Sequence, residues 1–112
     1  MMRTEVSLDP DAMKANASEA ADFLRALSNR PRLLILCQLV ERHELSVGQL
    51  VDRVGISQSA LSQHLAKLRS QGLVAYRREA QTLFYRIADR RANRILETLH
   101  ELFCANELED DG

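Results

Sequence analysis

Two sets of residues in this 112-residue chain could do chemistry: a pair of thiols and a polar run that ends in cations. The thiols are Cys37 and Cys104, 104 − 37 = 67 positions apart. A deprotonated cysteine is a nucleophile and a soft metal ligand, and an ordinary thiol, with a pKa of about 8.5, must be activated or exposed to react quickly. The polar run is "SQSALSQHLAKLR", residues 57–69. Within it Gln58, Ser59, Ser62 and Gln63 suit base edges, since glutamine can bond an adenine in two places and serine can reach bases or phosphates. His64 beside them suits a phosphate contact or the surface better than a metal. Lys67 and Arg69, then Arg77 and Arg78, would add attraction to phosphates that is independent of sequence and weakens with salt.

Charge is segregated so as to favour that use. The net charge is −1, but residues 1–22 carry two basic and five acidic side chains and residues 95–112 carry six acidic and none basic. Residues 53–94 hold nine Lys and Arg against Glu79 and Asp89, a balance of +7. A basic middle of this kind is what a phosphate-binding surface requires, although a solvated basic face would carry the same charges. The opening "MMRTEVSLDPD" is acidic and contains no apolar stretch, so neither a signal peptide nor a transit peptide is readable. No run reaches membrane-spanning length. A cytoplasmic protein is expected, and there two cysteines are poor candidates for a permanent structural staple. There is no C-x-x-C, no His–Asp support for a catalytic cysteine and no cofactor loop, so an enzyme is not expected and no cofactor is implied.

The elements that must position these residues follow from periodicity and caps. Met13, Ala17, Ala20, Leu24 and Leu27 recur at helical spacing, which predicts a first helix over 11–27. Asn29 caps and Pro31 opens a second helix, "RPRLLILCQLVER", whose apolar set is read as Leu33, Leu34, Cys37 and Val40. In "ELSVGQL" Ser46 caps a third helix with a Val47, Leu50, Val51 and Val54 stripe, closed by Gly55. Ser57 caps a fourth helix to about Gln71, with Leu61, Leu65 and Leu68 on one face. Two short helices joined by a tight glycine turn are a helix-turn-helix pattern. Two β-rich runs, 73–78 and 82–87, then form a hairpin wing with Arg77, Arg78, Gln81 and Thr82 at or near its tip. A last helix over 89–106 carries Ala92, Ile95, Leu96, Leu99, Leu102 and Phe103, a stripe broader than one small core requires, which points to a symmetric partner. The expected architecture is mainly α with a small β-hairpin, a winged helix-turn-helix of order ααααββα. It is a single domain over 11–106 with a flexible tail at 1–10 and an acidic tail at 107–112.

The stretches "ALSNRPRLLIL", "ELSVGQL", "SQSALSQHLAKLRSQGLV" and "FYRI" together resemble the ArsR-type winged-helix repressors, from about Asp22 to Cys104. The resemblance implies a homodimer built from the first and last helices and binding to double-stranded palindromic operator DNA. Its half-sites would lie about one helical turn, roughly 34–36 Å, apart. Metal sensors of this family commonly place cysteines within the "ELxVxxL" stretch. Here Ser46 and Gly48 stand in those places, and neither is a soft ligand. A second family site begins with an Asp and a His on the last helix. Asp89 begins that pattern, but Arg91 replaces the histidine and the later positions fall on Leu102 and Ala105, so no metal is expected.

Cys37 and Cys104 remain. A lone cysteine on an apolar helix face is ordinarily a small buried hydrophobe, which leaves Cys37 open to two readings. As a pair, the two cysteines resemble those of the sulfide- and persulfide-responsive branch of the family, which includes biofilm-growth and sulfide-oxidation repressors. That resemblance implies a redox switch in which reactive sulfur species or oxidants crosslink Cys37 to Cys104 and lower operator affinity. A thiol-silent activator that displaces another DNA-binding protein, as in closely similar virulence regulators, is the alternative.

Overall fold

The chain folds because a capping residue precedes each helix at the point where periodicity changes. The computed structural model describes residues 9–104. The expected tails, and the end of the last helix at 105–106, lie outside the described residues apart from residues 9 and 10. Helix α1 (Pro10–Leu27) starts one residue before the expected boundary, because Asp9 accepts from the Asp11 amide and Pro10 occupies the first turn. Asn29 accepts from the Arg32 amide and opens α2 (Arg30–Arg42), which His43 closes at φ 72°. Ser46 opens α3 (Val47–Val54) through a capping box: its hydroxyl accepts from Gln49 N–H, and the Gln49 side chain accepts from Ser46 N–H. Gly55, at φ 81°, takes the left-handed turn that a side chain would resist. Ser57 then caps α4 (Gln58–Ser70).

The wing is the antiparallel hairpin of β2 (Val74–Glu79) and β3 (Thr82–Ile87). A two-residue strand, β1 (Leu45–Ser46), adds to its outer edge, so the sheet has three strands in the order β1-β3-β2. The register sets Leu45 opposite Tyr85, Tyr76 opposite Tyr85 and Arg77 opposite Phe84. Helix α5 (Arg90–Phe103), capped by Asp89, completes the order ααβααββα. The hairpin expectation therefore holds, with a strand that periodicity could not reveal because two residues carry no period.

One core joins these elements. It is centred on Ile35, Leu36 and Leu39 of α2, Leu50 of α3, Leu61, Leu65 and Leu68 of α4, and Leu73, Val74 and Leu96 beyond them. Burying each such side chain stabilises the fold by roughly 1.5–3 kcal/mol. The expected apolar set of α2 is corrected here: Ile35, Leu36 and Leu39 face the core, Leu33 and Val40 pack at its margin, Leu34 is half-buried, and Cys37 is exposed. Helix α2 is apolar around most of its circumference, so its sequence offers two faces and tertiary packing selects one. Helix α1 commits only Ala26 and Leu27 to the core, leaving Met13 and Leu24 more than half exposed. At the far end of α5, Leu102 and Phe103 are likewise uncovered.

Candidate functional site

The leucines of α4 decide which of its side chains face outward. With Leu61, Leu65 and Leu68 turned into the core, Gln58, Ser59, Ser62, Gln63, Lys67 and Arg69 are all exposed. Gln58, Ser62 and Arg69 line one side of a cleft of about 610 Å³ whose other side is Gln81, Thr82 and Leu83 of the wing. Gly48, at the start of α3, also lines it, and a Cβ there would meet nothing within 4 Å. The Arg69 guanidinium lies 4.6 Å from the Tyr76 ring centre, and Tyr76 in turn sits 5.3 Å from Tyr85. Burial pushes the Tyr85 hydroxyl up, while Arg69 opposes it, so Tyr85 stays neutral at the cleft wall. A basic, polar cleft between a helix and a hairpin can follow a nucleic-acid backbone while presenting Gln and Ser to base edges.

Not every expected residue joins this surface in the same way. Ser59, Gln63 and Lys67 share the outward face of α4 without lining the cleft. His64 is half-buried, and its Nδ1 accepts from Arg32 Nε at 3.4 Å, which ties α4 to α2. Arg78 is exposed on the wing, whereas Arg77 is held by carboxylates. Its Nε and Nη2 donate to Glu44 at 2.8 and 3.0 Å and its Nη1 donates to Glu79 at 3.2 Å. The hydrogen bond from Arg77 holds the Glu44 carboxyl below its usual range.

A second ion-pair node, absent from the sequence reading, joins α1 to α5. Arg91 donates to Asp89 at 2.6 Å and to Glu19 at 3.2 Å, and its guanidinium lies 5.0 Å from the Phe23 ring centre. Asp89 thereby serves two tasks, capping α5 and holding Arg91, and the Arg91 hydrogen bond keeps its carboxyl below the usual range. The sign of each charge was available in the sequence, but partners 72 positions apart were not.

The thiols occupy a separate region. Cys37 lies on the outer side of α2 and Cys104 is the C-cap of α5, its amide donating to the His100 carbonyl at 2.8 Å. Both are free, with Cys37 exposed and Cys104 partly covered. The Cys37 thiol is pushed up first by burial, then by the charges of Cys104 and Glu41. The same shift puts Cys104 within electrostatic reach, so the pair resists carrying two negative charges together. The raised Cys37 thiol is held in its protonated form and must lose its proton before it can attack in thiol exchange.

Among the described residues, the side chains at the two places where a metal was considered are otherwise engaged or lack a donor. Ser46 Oγ is used in the capping box, Gly48 has no side chain, and both Asp89 oxygens accept from Arg91. Among the described residues, no three His, Cys, Asp or Glu side chains gather to hold a metal ion, and Ala105 lies outside them.

The chain is similar in sequence and fold to known proteins. The sequence profile of bacterial regulatory proteins of the arsR family matches residues 24–76. The chain is 50% identical over 92 residues to the transcriptional activator HlyU of Vibrio cholerae, spanning 82% of this chain and 84% of that one. It is 39% identical over 104 residues to the biofilm growth-associated repressor of Xylella fastidiosa, spanning 93% and 90% respectively. The crystal structure of the transcriptional repressor BigR from Xylella fastidiosa superposes with a TM-score of 0.82 at 39% identity, covering 87% of this chain and 98% of that one.

Proposed function

The chain belongs to the ArsR family of bacterial regulatory proteins, and on that premise we propose a dimeric, cytoplasmic operator-binding repressor switched by reversible crosslinking of Cys37 to Cys104. Proteins of this family are transcriptional regulators that bind operator DNA and typically form homodimers. No helix among the described residues is long and apolar enough to cross a membrane. The dimer forms through α1 and α5, whose exposed Met13, Leu24, Leu102 and Phe103 supply the surplus apolar surface. Two-fold symmetry then presents two α4 helices to a palindrome. Gln58, Ser59, Ser62 and Gln63 read bases, while His64, Lys67, Arg69 and Arg78 stand near the backbone.

The observation that supports the switch is an exposed Cys37 on α2, whose thiol is raised by burial and then by Cys104 at the end of α5. A low-molecular-weight persulfide transfers its outer sulfur to one cysteine thiolate and leaves as a thiol. The second thiolate attacks the protein-bound sulfur of that persulfide and expels hydrosulfide, giving a disulfide. Where the other thiolate first attacks the inner sulfur of a second persulfide molecule, hydrosulfide leaves and a mixed disulfide forms; the cysteine persulfide then attacks the cysteine sulfur of that mixed disulfide and expels the small thiol, so the bridge retains one added sulfur. Either bridge ties α2 of the DNA-reading lobe to the dimerising helix and alters how the two α4 helices are held. Coupling of about 1–3 kcal/mol changes affinity by roughly 5- to 150-fold, sufficient to release an operator. In a reporter strain, the Cys37→Ser protein represses but no longer responds to persulfide; retained induction would end this reading.

The 50% identity to a transcriptional activator favours a second output on the same scaffold, in which binding displaces another DNA-binding protein. Deleting the gene separates the two readings: target transcription rises for a repressor and falls for an activator.

A further inference from the structure

The wing carries a contact that the operator and thiol readings leave unused. Arg77 of β2 lies opposite Phe84 of β3, and opposed residues in an antiparallel pair project to the same face. That face is turned away from the cleft. Arg69, Tyr76 and Tyr85 gather on the α4 side, whereas the Arg77 guanidinium stacks 4.6 Å from the Phe84 ring centre. There it forms a two-bond fork with Glu44, and its remaining nitrogen reaches Glu79 at 3.2 Å. Glu44 immediately precedes β1, which ends at Ser46, the N-cap of α3. The fork therefore ties the wing to the entrance of the helix-turn-helix across 33 positions of sequence. Fork geometry of this kind fixes direction as well as distance, which a lysine or a single contact would not do.

Resting on the reading that the chain binds operator DNA through α4 and the wing, we infer that Arg77 is a positioning residue, not a phosphate contact, and that Glu44 is its anchor. A guanidinium held by two carboxylates has no surplus positive charge to give a phosphate; Arg77, Glu44 and Glu79 together sum to −1. The pair instead sets the angle of the hairpin against α3 and α4, so that Arg78, Gln81 and Thr82 arrive beside the DNA backbone when Gln58 and Ser62 meet the bases. Strand alternation places Arg78 on the face opposite Arg77, as this division of labour requires.

The two roles differ in sign at Glu44. Removing a carboxylate near DNA strengthens binding if charge alone matters and weakens it if the carboxylate holds the wing. The test uses the full-length protein and a duplex that the wild type enriches from a random-sequence pool. Fluorescence anisotropy across a salt series compares wild type, Glu44→Gln, Arg77→Gln and the exchanged pair Glu44→Arg with Arg77→Glu. Both single variants bind several-fold more weakly with an unchanged salt slope, hydroxyl-radical protection beneath the wings fades, and the exchanged pair recovers binding. Tighter binding by Glu44→Gln overturns the proposal. So does a slope reduced by about 0.9 per subunit in Arg77→Gln, the loss expected for one phosphate contact. Circular dichroism confirms that each variant is folded. If the wild type enriches no duplex, the operator reading itself fails, a result distinct from either of these.

Discussion

Truncating Phe103 to alanine should dissociate the dimer while leaving the single chain folded. Phe103 is 75% exposed in the isolated chain, at the far end of α5. An aromatic side chain able to bury about 200 Å² therefore has about 150 Å² left to hide. At about 25 cal/mol per Å², full cover would contribute about 4 kcal/mol per chain. Cover of about half that area by the partner gives about 2 kcal/mol per chain, hence about 4 kcal/mol for a symmetric dimer and a dissociation constant raised about a thousandfold. Sedimentation equilibrium over a wide concentration range measures this directly. Far-ultraviolet circular dichroism of the variant stays helical, because Phe103 is outside the buried core cluster. An unchanged dissociation constant in a folded variant would refute the assignment of this face to the dimer.

Cys37 should react more slowly with iodoacetamide than a free cysteine at neutral pH, because burial and the charges of Cys104 and Glu41 disfavour its thiolate. Cys104→Ser and Glu41→Gln should each speed its labelling, and equal rates in all three proteins would remove the electrostatic coupling. Leu61 is fully buried on α4, so Leu61→Ala should cost about 2–5 kcal/mol in urea unfolding, and a cost below 1 kcal/mol would contradict its place in the core. The Asp89 carboxyl is depressed in the folded state, so its contribution is present above the unfolded value of about 3.9 and is lost as pH falls through the lower folded value. Acid titration of stability should therefore show wild type losing its margin over Asp89→Asn below about pH 4, and a pH-independent margin would exclude the ion pair as its source.

The legibility of this fold tracks the range of the interactions that make it. Asn29, Ser46, Ser57 and Gly55 act within a few residues of themselves, so the caps and the turn of the helix-turn-helix were readable in the chain. The stripe of α4 was equally plain, because its leucines face polar residues on the other side. Helix α2 has no such contrast, which is why Ile35, Leu36 and Leu39 take the core in place of the expected face and Cys37 is left outside. Strand β1 exists only because Tyr85 and Phe84 pair with it from across the sheet. The residues of the outward face of α4 could be named in advance, but the occupation of Arg77 by Glu44 and of Arg91 by Glu19 could not. Such pairs depend on where distant segments meet, and pattern at short range holds no record of that. The thiol pair was suggested by resemblance alone; the fold leaves Cys37 exposed, with burial, Cys104 and Glu41 raising its thiol.

The proposed function stands or falls on whether one chemical event at the thiols controls DNA binding. Its most direct test is intact-mass spectrometry of the reduced protein after anaerobic treatment with glutathione persulfide and, separately, oxidised glutathione, with operator affinity measured on each product. An intramolecular Cys37–Cys104 bridge is expected after persulfide treatment, accompanied by weakened binding, with no such change in a Cys37→Ser protein. Unmodified cysteines, or a bridged protein that binds its operator as tightly as the reduced one, would contradict it.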